Sequence, residues 1–347
     1  MAPMSNERIP AQPPVIKPID DGEKRPLWSV MIPAYNCSSY LEQALESILA
    51  QDPGETLMQI EVIDDASTDA DVKALVERVG KGRVGYYRQP SNVGSLRNFE
   101  TCLNRSRGEW IHLLHGDDYV SPGFYEEITS LFGEFPEAGA AFTGYYHVAY
   151  DGTILYTNPS LGAGRGYVSG WLDIIAQGQH IQPPAIVVKR MVYEQLGGFF
   201  AVHYGEDWEM WIRISAHFPV VRSSARLANY RVHGGNISSQ YCISGQNIRD
   251  ILKVIRIVQN YLPPEKRKRL RRMARKNYAL YFARSSNTVY HVYKRPWPAI
   301  RQAFNAVRMH VNGVTLHHAL KVSVKVVFRY RWKGDKEALQ IIGKQRS

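Results

Sequence analysis

The chain has 347 residues, 44% of them hydrophobic, enough to bury a sizeable core in one large domain or one domain with an extension. Its formal charge of +11 is uneven: residues 261–347 hold 21 Lys/Arg against three Asp/Glu, a net of +18, and residues 1–260 carry −7. No run of about 18 apolar residues occurs, which excludes a spanning helix. Cys37, Cys102 and Cys242 show no paired or metal-ligand spacing, which disfavours a disulfide framework and suits a reducing compartment.

Residues 1–26 contain six prolines and lack the apolar core of a signal peptide, so they read as a disordered Pro-rich leader. From Trp28 short apolar strands alternate with amphipathic helices. Trp28 to Ile32 reads as a strand, and Ser38 or Ser39 caps a helix with Leu41, Leu45, Ile48 and Leu49 on one face. Ile60 to Ile63 is the second strand, and Asp69 opens a helix bearing Val72, Leu75, Val76 and Val79. Val84 to Tyr87 is the third strand, Ser95 to Leu103 a helix, and Trp110 to Leu114 the fourth strand. This alternation predicts an α/β fold, a mostly parallel sheet with helices on both faces.

The second half is less regular. Strands are expected at Ala140 to Ala149, Ala185 to Val188 and Arg226 to Val232, with a turn at Asp151-Gly152 and a helix at Glu206 to His217. From Gln246 onward helices dominate, broken at Pro263-Pro264. Leu320 to Trp332 places apolar residues at even positions, a spacing that favours a strand, with a membrane-surface helix as the alternative. The expected organisation is a leader over 1–26, a domain over 27–245 with halves 27–120 and 121–245, and a helical basic extension over 246–347.

In an open parallel sheet, ligands bind beyond the carboxyl ends of the strands. Those ends carry Pro33-Ala34-Tyr35-Asn36, Asp64-Asp65-Ala66-Ser67-Thr68-Asp69, Asn92-Val93-Gly94 and Asp117-Asp118. No Gly-x-Gly-x-x-Gly follows the first strand and no Gly-Lys-Ser/Thr loop occurs, which disfavours a dinucleotide fold or P-loop. Phosphate charge would have to be offset otherwise, and a divalent cation held by carboxylates is the obvious means.

From Trp28 to Ser239 the chain resembles the inverting nucleotide-sugar glycosyltransferases of family 2, which have the GT-A fold. The resemblance is carried by Ser29-Val30-Met31-Ile32-Pro33-Ala34-Tyr35-Asn36, Ile63 to Asp69, Asn92-Val93-Gly94 with Arg97-Asn98, and Leu114-His115-Gly116-Asp117-Asp118. Gly205-Glu206-Asp207 and Tyr230-Arg231-Val232-His233 complete it, in the family's order. It implies that Asp64 and Asp65 recognise the nucleotide, a carboxylate accepting from the uracil N–H. It also implies that Asn92, Gly94, Arg97 and Asn98 shape the donor pocket, alongside the Pro33 to Asn36 loop. Asp117 and Asp118 match the family's metal-binding acids, for Mn2+ or Mg2+, with Asp117 also toward the donor. Glu206-Asp207 matches the acidic pair that supplies the base, with Asp207 the base and Glu206 its neighbour. The glycine loop after Arg231 resembles one that closes over the diphosphate, so His233 is carried as a further metal ligand. Many relatives have an acid where this chain has His115, which leaves the role of His115 open.

Structural alternatives stand beside these roles. Asp65, Ser67 and Asp69 also suit helix capping, Gly94 a tight turn and Arg97 a surface pair. Trp208 and Trp211, one turn apart, suit either acceptor stacking or core packing. Arg231 suits either phosphate or a carboxylate of the body. The resemblance implies a nucleotide-sugar donor, UDP-sugar first, and a glycan or lipid-linked acceptor. The basic tail, with Lys266 to Arg269, Arg271, Arg272 and the stripe Ile300, Phe304, Val307 and Val311, points to an anionic membrane surface rather than nucleic acid. That places the protein at the cytoplasmic face of a membrane. A sugar-nucleotide pyrophosphorylase, and a non-catalytic membrane- or nucleic-acid-binding protein acting through its basic tail, are the alternatives.

Overall fold

The computed structural model describes residues 8–19, 22, 24–157, 161–233 and 237–330. In chain order the elements are β1 (Trp28–Ala34), α1 (Ser38–Leu49), β2 (Met58–Asp64), α2 (Val72–Gly80), β3 (Gly85–Arg88) and α3 (Ser95–Arg105). Then come β4 (Trp110–Leu113), β5 (Tyr119–Val120), α4 (Phe124–Glu134), β6 (Ala140–Val148), β7 (Ile154–Thr157) and β8 (Arg165–Tyr167). The central part closes with α5 (Trp171–Ile175), β9 (Ile186–Lys189), α6 (Arg190–Leu196), α7 (Glu206–His217) and β10 (Val220–Arg231). The helices α8 (Ile237–Ser244), α9 (Gln246–Ile257), α10 (Pro264–His291), α11 (Pro296–Met309) and α12 (Gly313–Val327) follow.

The chain divides into two compact units. The first comprises Met1–His147, Ile154–Trp171 and His180–Arg231. The second comprises Val148–Thr153, Leu172–Gln179 and Val232–Ser347. The boundary thus falls at Val232, ahead of the expected 246, because α8 belongs with the helices that follow it.

In the first unit the strand order is β3-β2-β1-β4-β9-β6-β10-β5, with β7 beside β6 and β8 beside β10. β1 runs parallel to β2 and β4, and β2 parallel to β3. The β4–β9, β6–β9 and β10–β5 pairs are antiparallel. The α/β, GT-A-like class holds, with the parallel strands gathered in the nucleotide half. β1 is buried along its whole length, as a strand covered on both faces must be, which is why Trp28 to Ile32 is apolar but for the buried Ser29. On α1, Tyr40, Leu41, Ala44, Leu45 and Ile48 form the buried face. The α2 cap is Asp71, whose side chain accepts from Ala74 N at 3.0 Å. Asp69, the expected opener, instead accepts from the Ser38 N–H at 2.9 Å and so tethers α1.

The leader is ordered over residues 8–19, contrary to the expectation of disorder. Ile16 is fully buried, the Gly198 N–H donates to Pro14 O at 2.8 Å, and the Ala201 N–H donates to Pro10 O at 2.9 Å. Composition alone misses this because a single buried isoleucine and a few backbone bonds to the body supply what the segment cannot supply itself. Residues 1–7 lie outside the described residues.

In the second unit Val289, Ala299 and Val322 form a small core. Lys266 and Arg269 both pair with Asp173. The strand expected at Leu320 to Trp332 is helical up to Val327, and Trp332 itself lies outside the described residues. Asn312 and Thr315 form a reciprocal capping box that launches α12. A spacing of two contains the helical spacing of four, so Leu320 and Val324 fall on one helix face and Val322 with Val326 on another. No helix among the described residues is long and apolar enough to cross a membrane.

Candidate active site

The parallel strands deliver their carboxyl ends to one edge of the first unit. Asp65 N donates to Ala34 O at 2.8 Å and Gly116 N to Pro33 O at 3.1 Å, which locks the three loops together. A Cβ on Gly116 would lie 2.8 Å from Cys37 Sγ, so only glycine permits this approach. Asn36 takes a left-handed φ of 50° and receives the Thr68 N–H on Oδ1 at 2.8 Å, while Tyr35 stays exposed.

Asp64 is fully buried. It accepts from Ser67 N at 2.8 Å, from the Tyr86 hydroxyl at 2.7 Å and from Arg88. Burial pushes its carboxyl up, but these bonds outweigh that and hold it below the usual range. Asp65 accepts the Val93 N–H on Oδ1 at 2.7 Å and the Gly94 N–H on Oδ2 at 2.9 Å. Here burial wins and the carboxyl is raised. Gly94 has φ +90° and stands at the start of α3, the turn its sequence context suggested. Arg97 pairs with Glu100 at 2.7 Å along the same helix. Asn98 is buried and donates to Ile63 O at 2.8 Å, which ties α3 to β2.

Past β4 the acid pair sits in a tight turn closed by Asp118 N donating to His115 O at 3.0 Å. Asp118 is buried, and its Oδ1 accepts the Arg231 backbone N–H at 2.8 Å. Its Oδ2, also buried, has no hydrogen-bond partner among the described residues. Burial and the neighbouring Asp117 push the Asp118 carboxyl well above the usual range. A buried carboxylate oxygen without a donor is costly, and either a proton or a cation relieves it. His115, Asp117 and Asp118 each bring a ligand atom into one cluster, all within 4.8 Å of one another. This oxygen-rich set with one imidazole suits Mn2+ or Mg2+. Burial lowers the His115 imidazole, opposed by Asp117. His233 is buried in the second unit.

Glu206 and Asp207 open α7 behind Gly205, whose φ is +87°. Asp207 Oδ1 accepts from Trp208 N at 2.7 Å. Both acids line a small cavity with His115, Phe99, Pro183 and Trp211. His115 therefore belongs to both the metal-capable cluster and the wall that carries the acidic pair. Its ring stacks on Phe99 with centroids 5.1 Å apart. Trp208 is fully buried and serves core packing, while Trp211 is nearly buried but lines the cavity with the two acids.

The sequence singles out Arg231 but not its partners. Arg231 is buried between the rings of Tyr40 and Tyr119, at 4.8 and 5.3 Å, and its Nε donates to Asp117 O at 2.8 Å. It is tied to the acid turn by both backbone and side chain, a long-range pairing between β10 and the loop after β4 that no local pattern announces. Arg88 and Tyr86, at the end of β3, were equally silent, although polar residues at a strand's carboxyl end were the available signal.

Residues 29–197 match the family described as Glycosyl transferase family 2. The uncharacterized protein MT1568 of Mycobacterium tuberculosis (strain CDC 1551 / Oshkosh) is 37% identical over 254 residues, covering 67% of this chain and 75% of that protein. An uncharacterized glycosyltransferase, the MG025 homolog of Mycoplasma pneumoniae, is 34% identical over 110 residues, which cover 31% of this chain and 36% of that protein. This chain thus spans only about a third of that second relative's length. Among solved structures, S. aureus TarS 1-349 in complex with UDP-GlcNAc superposes with a TM-score of 0.60 at 14% identity, covering 88% of this chain and 93% of that one. Likeness at that identity speaks for the fold alone.

Proposed function

The chain belongs to glycosyl transferase family 2, and on that footing we propose that it moves a sugar from a UDP-sugar to an acceptor hydroxyl of a glycan or lipid-linked glycan, with inversion at the anomeric carbon. The observation that carries this reading is the position of His115, shared between the Asp117–Asp118 cluster and the cavity lined by Glu206 and Asp207. A place for a diphosphate-bound cation and a place for a base are thereby joined through one side chain. UDP is preferred because Asp65 offers a carboxylate to an imide N–H, and the TarS structure of like fold holds UDP-GlcNAc.

In this reading Asp207 accepts the proton of the acceptor hydroxyl as that oxygen bonds to the anomeric carbon. The bond from that carbon to the diphosphate breaks on the opposite face, and the nucleoside diphosphate leaves. Glu206 shares the cavity wall and orients the acceptor. His115, Asp117 and Asp118 would hold Mn2+ or Mg2+, which when bound offsets the charge of the leaving diphosphate. Arg231 keeps the two acids in register. A panel of UDP-, GDP-, dTDP- and CMP-sugars with a glycan acceptor, read by release of free nucleotide, tests the proposal. Release of UDP only with acceptor and Mn2+ supports it, and release from none of the donors sinks it.

We further propose a peripheral seat on the anionic cytoplasmic face of a membrane. On α12, Leu316, Leu320, Val324 and Val327 recur at helical spacing and are exposed, while Thr315, Ala319 and Val322 are buried. Phe304 and Trp297 on α11 are exposed as well, and the stripe expected there is only half-buried because Ala299, Ala303 and Ala306 take the inner face. An outward apolar face among Lys and Arg suits an anionic bilayer surface.

A further inference from the structure

The ordered leader brings one cation to the nucleotide end of the sheet. Lys17 N donates to Asn104 Oδ1 at 3.2 Å and Arg190 Nη2 donates to Lys17 O at 2.8 Å. From there the segment passes Gly198 and Ala201, held by their N–H groups. The fit is close: a Cβ on Gly197 would lie 2.8 Å from Pro13 Cβ. Its first described residue is Arg8, which is exposed and whose guanidinium donates to Asn92 Oδ1. Arg8 Nε lies 3.0 Å from the point where a Cβ on Gly94 would stand. Asp65 is close enough to feel its charge.

Asp65 has spent one hydrogen-bonding position on each oxygen, on the amides of Val93 and Gly94. An ionised carboxylate has about four such positions, so it can still accept an N–H from a ligand. A carboxylate with a guanidinium beside it presents an acceptor next to donors. The imide edge of uracil presents the complement, an N–H between two carbonyl oxygens. Cytosine presents an unprotonated ring nitrogen to that carboxylate and, beside it, an amino group where uracil has a carbonyl, so both pairings are lost.

We propose that Arg8 is a donor-specificity residue, which pairs with a carbonyl oxygen of uracil beside the N–H that Asp65 accepts and so favours uracil over cytosine. This rests on the UDP-sugar reading above and adds to it a residue outside the region that matches the family. A site built to hydrogen-bond one edge discriminates against an edge that leaves its polar groups unmatched. Arg8 is exposed, so its replacement leaves the fold intact.

The test is titration calorimetry of UDP and CDP, with Mn2+, against the full chain and its Arg8→Ala and Arg8→Lys variants. Arg8→Ala is expected to weaken UDP by ~10-fold, in keeping with loss of one charge-assisted bond, and to leave CDP within about twofold. Arg8→Lys keeps the charge without the planar fork and is expected to remain several-fold weaker than the parent. Equal weakening of UDP and CDP would assign Arg8 to phosphate and overturn the base-reading role. Unchanged UDP affinity in Arg8→Ala, or full recovery with lysine, overturns it too, and tighter UDP binding would make the leader an occluding segment instead. If the parent chain binds neither nucleotide, the UDP-sugar reading itself fails, an outcome distinct from all of these.

Discussion

The backbone N–H of Arg231 lies 2.8 Å from Asp118 Oδ1, while Oδ2 of the same buried carboxylate meets no donor among the described residues. One oxygen is fixed by β10 and the other is left for something the chain does not itself provide. His115 and Asp117 lie in the same cluster, and the cation proposed above would take up that oxygen. Asp118→Asn keeps an acceptor for Arg231 and replaces the free oxygen with an NH2 group. Mn2+-dependent UDP affinity is expected to fall by at least ~10-fold, with no change when both proteins are measured in excess chelator. Calorimetry checks this, and an undiminished Mn2+ effect in the variant would remove the ion from this cluster.

Asp207 and Glu206 share a cavity wall, so the base can be assigned by substitution. Asp207→Asn preserves an oxygen for Trp208 N but cannot take the acceptor proton. Turnover is expected to drop by ~10²–10⁴-fold while donor affinity is kept. Steady-state kinetics at saturating donor and acceptor decide it. If Glu206→Gln shows the large loss and Asp207→Asn does not, the roles are reversed.

Much of this was legible in sequence because the signals were local. β1 declared itself by an apolar run broken only by Ser29, and the Glu206 to His217 helix by its periodicity and its acidic first turn. The acid pairs were visible because strand ends are where ligands bind. What escaped was long-range. Arg231 reaches Asp118 across 113 positions, and Ile16 is buried by a surface made of distant segments. A strand was favoured over the end of α12 because the alternation from Leu320 to Trp332 contains a helical subset, and the deciding cap lay upstream at Asn312.

His112 carries a pH prediction. It lies fully buried on β4 between the Tyr125 hydroxyl at 3.2 Å and Pro184 O at 3.1 Å, and burial pulls its imidazole down to about 3. The unfolded chain binds this proton near pH 6.5 and the folded chain only near 3, so the contribution is complete above 6.5 and is lost as pH falls through that window. Within it the loss is on the order of 1.4 kcal/mol per pH unit. Urea unfolding at pH 6 and pH 4.5 is expected to show a shallower decline for His112→Gln than for the parent, even though the variant starts less stable. Parallel declines would mean that His112 is not the group being titrated.

The last prediction concerns α12. Leu320 is 67% exposed and Val327 74% exposed, and Lys321 and Arg329 lie close to them in sequence, also exposed. Replacing both with glutamate costs the fold little, because neither side chain is buried. On a bilayer the change removes two apolar anchors, each worth ~1.5–3 kcal/mol when fully inserted. It also adds two charges of the wrong sign for an anionic surface. Each basic residue near such a surface contributes roughly 1 kcal/mol, so the +18 tail should still draw the variant to anionic vesicles at low salt. At physiological salt the charges reach only about 8 Å, and the apolar contacts decide the outcome. Co-sedimentation with vesicles containing phosphatidylserine is therefore expected to fall by at least ~10-fold for Leu320→Glu/Val327→Glu at physiological salt and much less at low salt. Neutral vesicles should bind both proteins weakly. Equal pelleting of parent and variant under all conditions would detach the membrane from this face. The exposed apolar row would then be better explained as a contact with another protein chain, and sedimentation velocity of the parent would show the larger species.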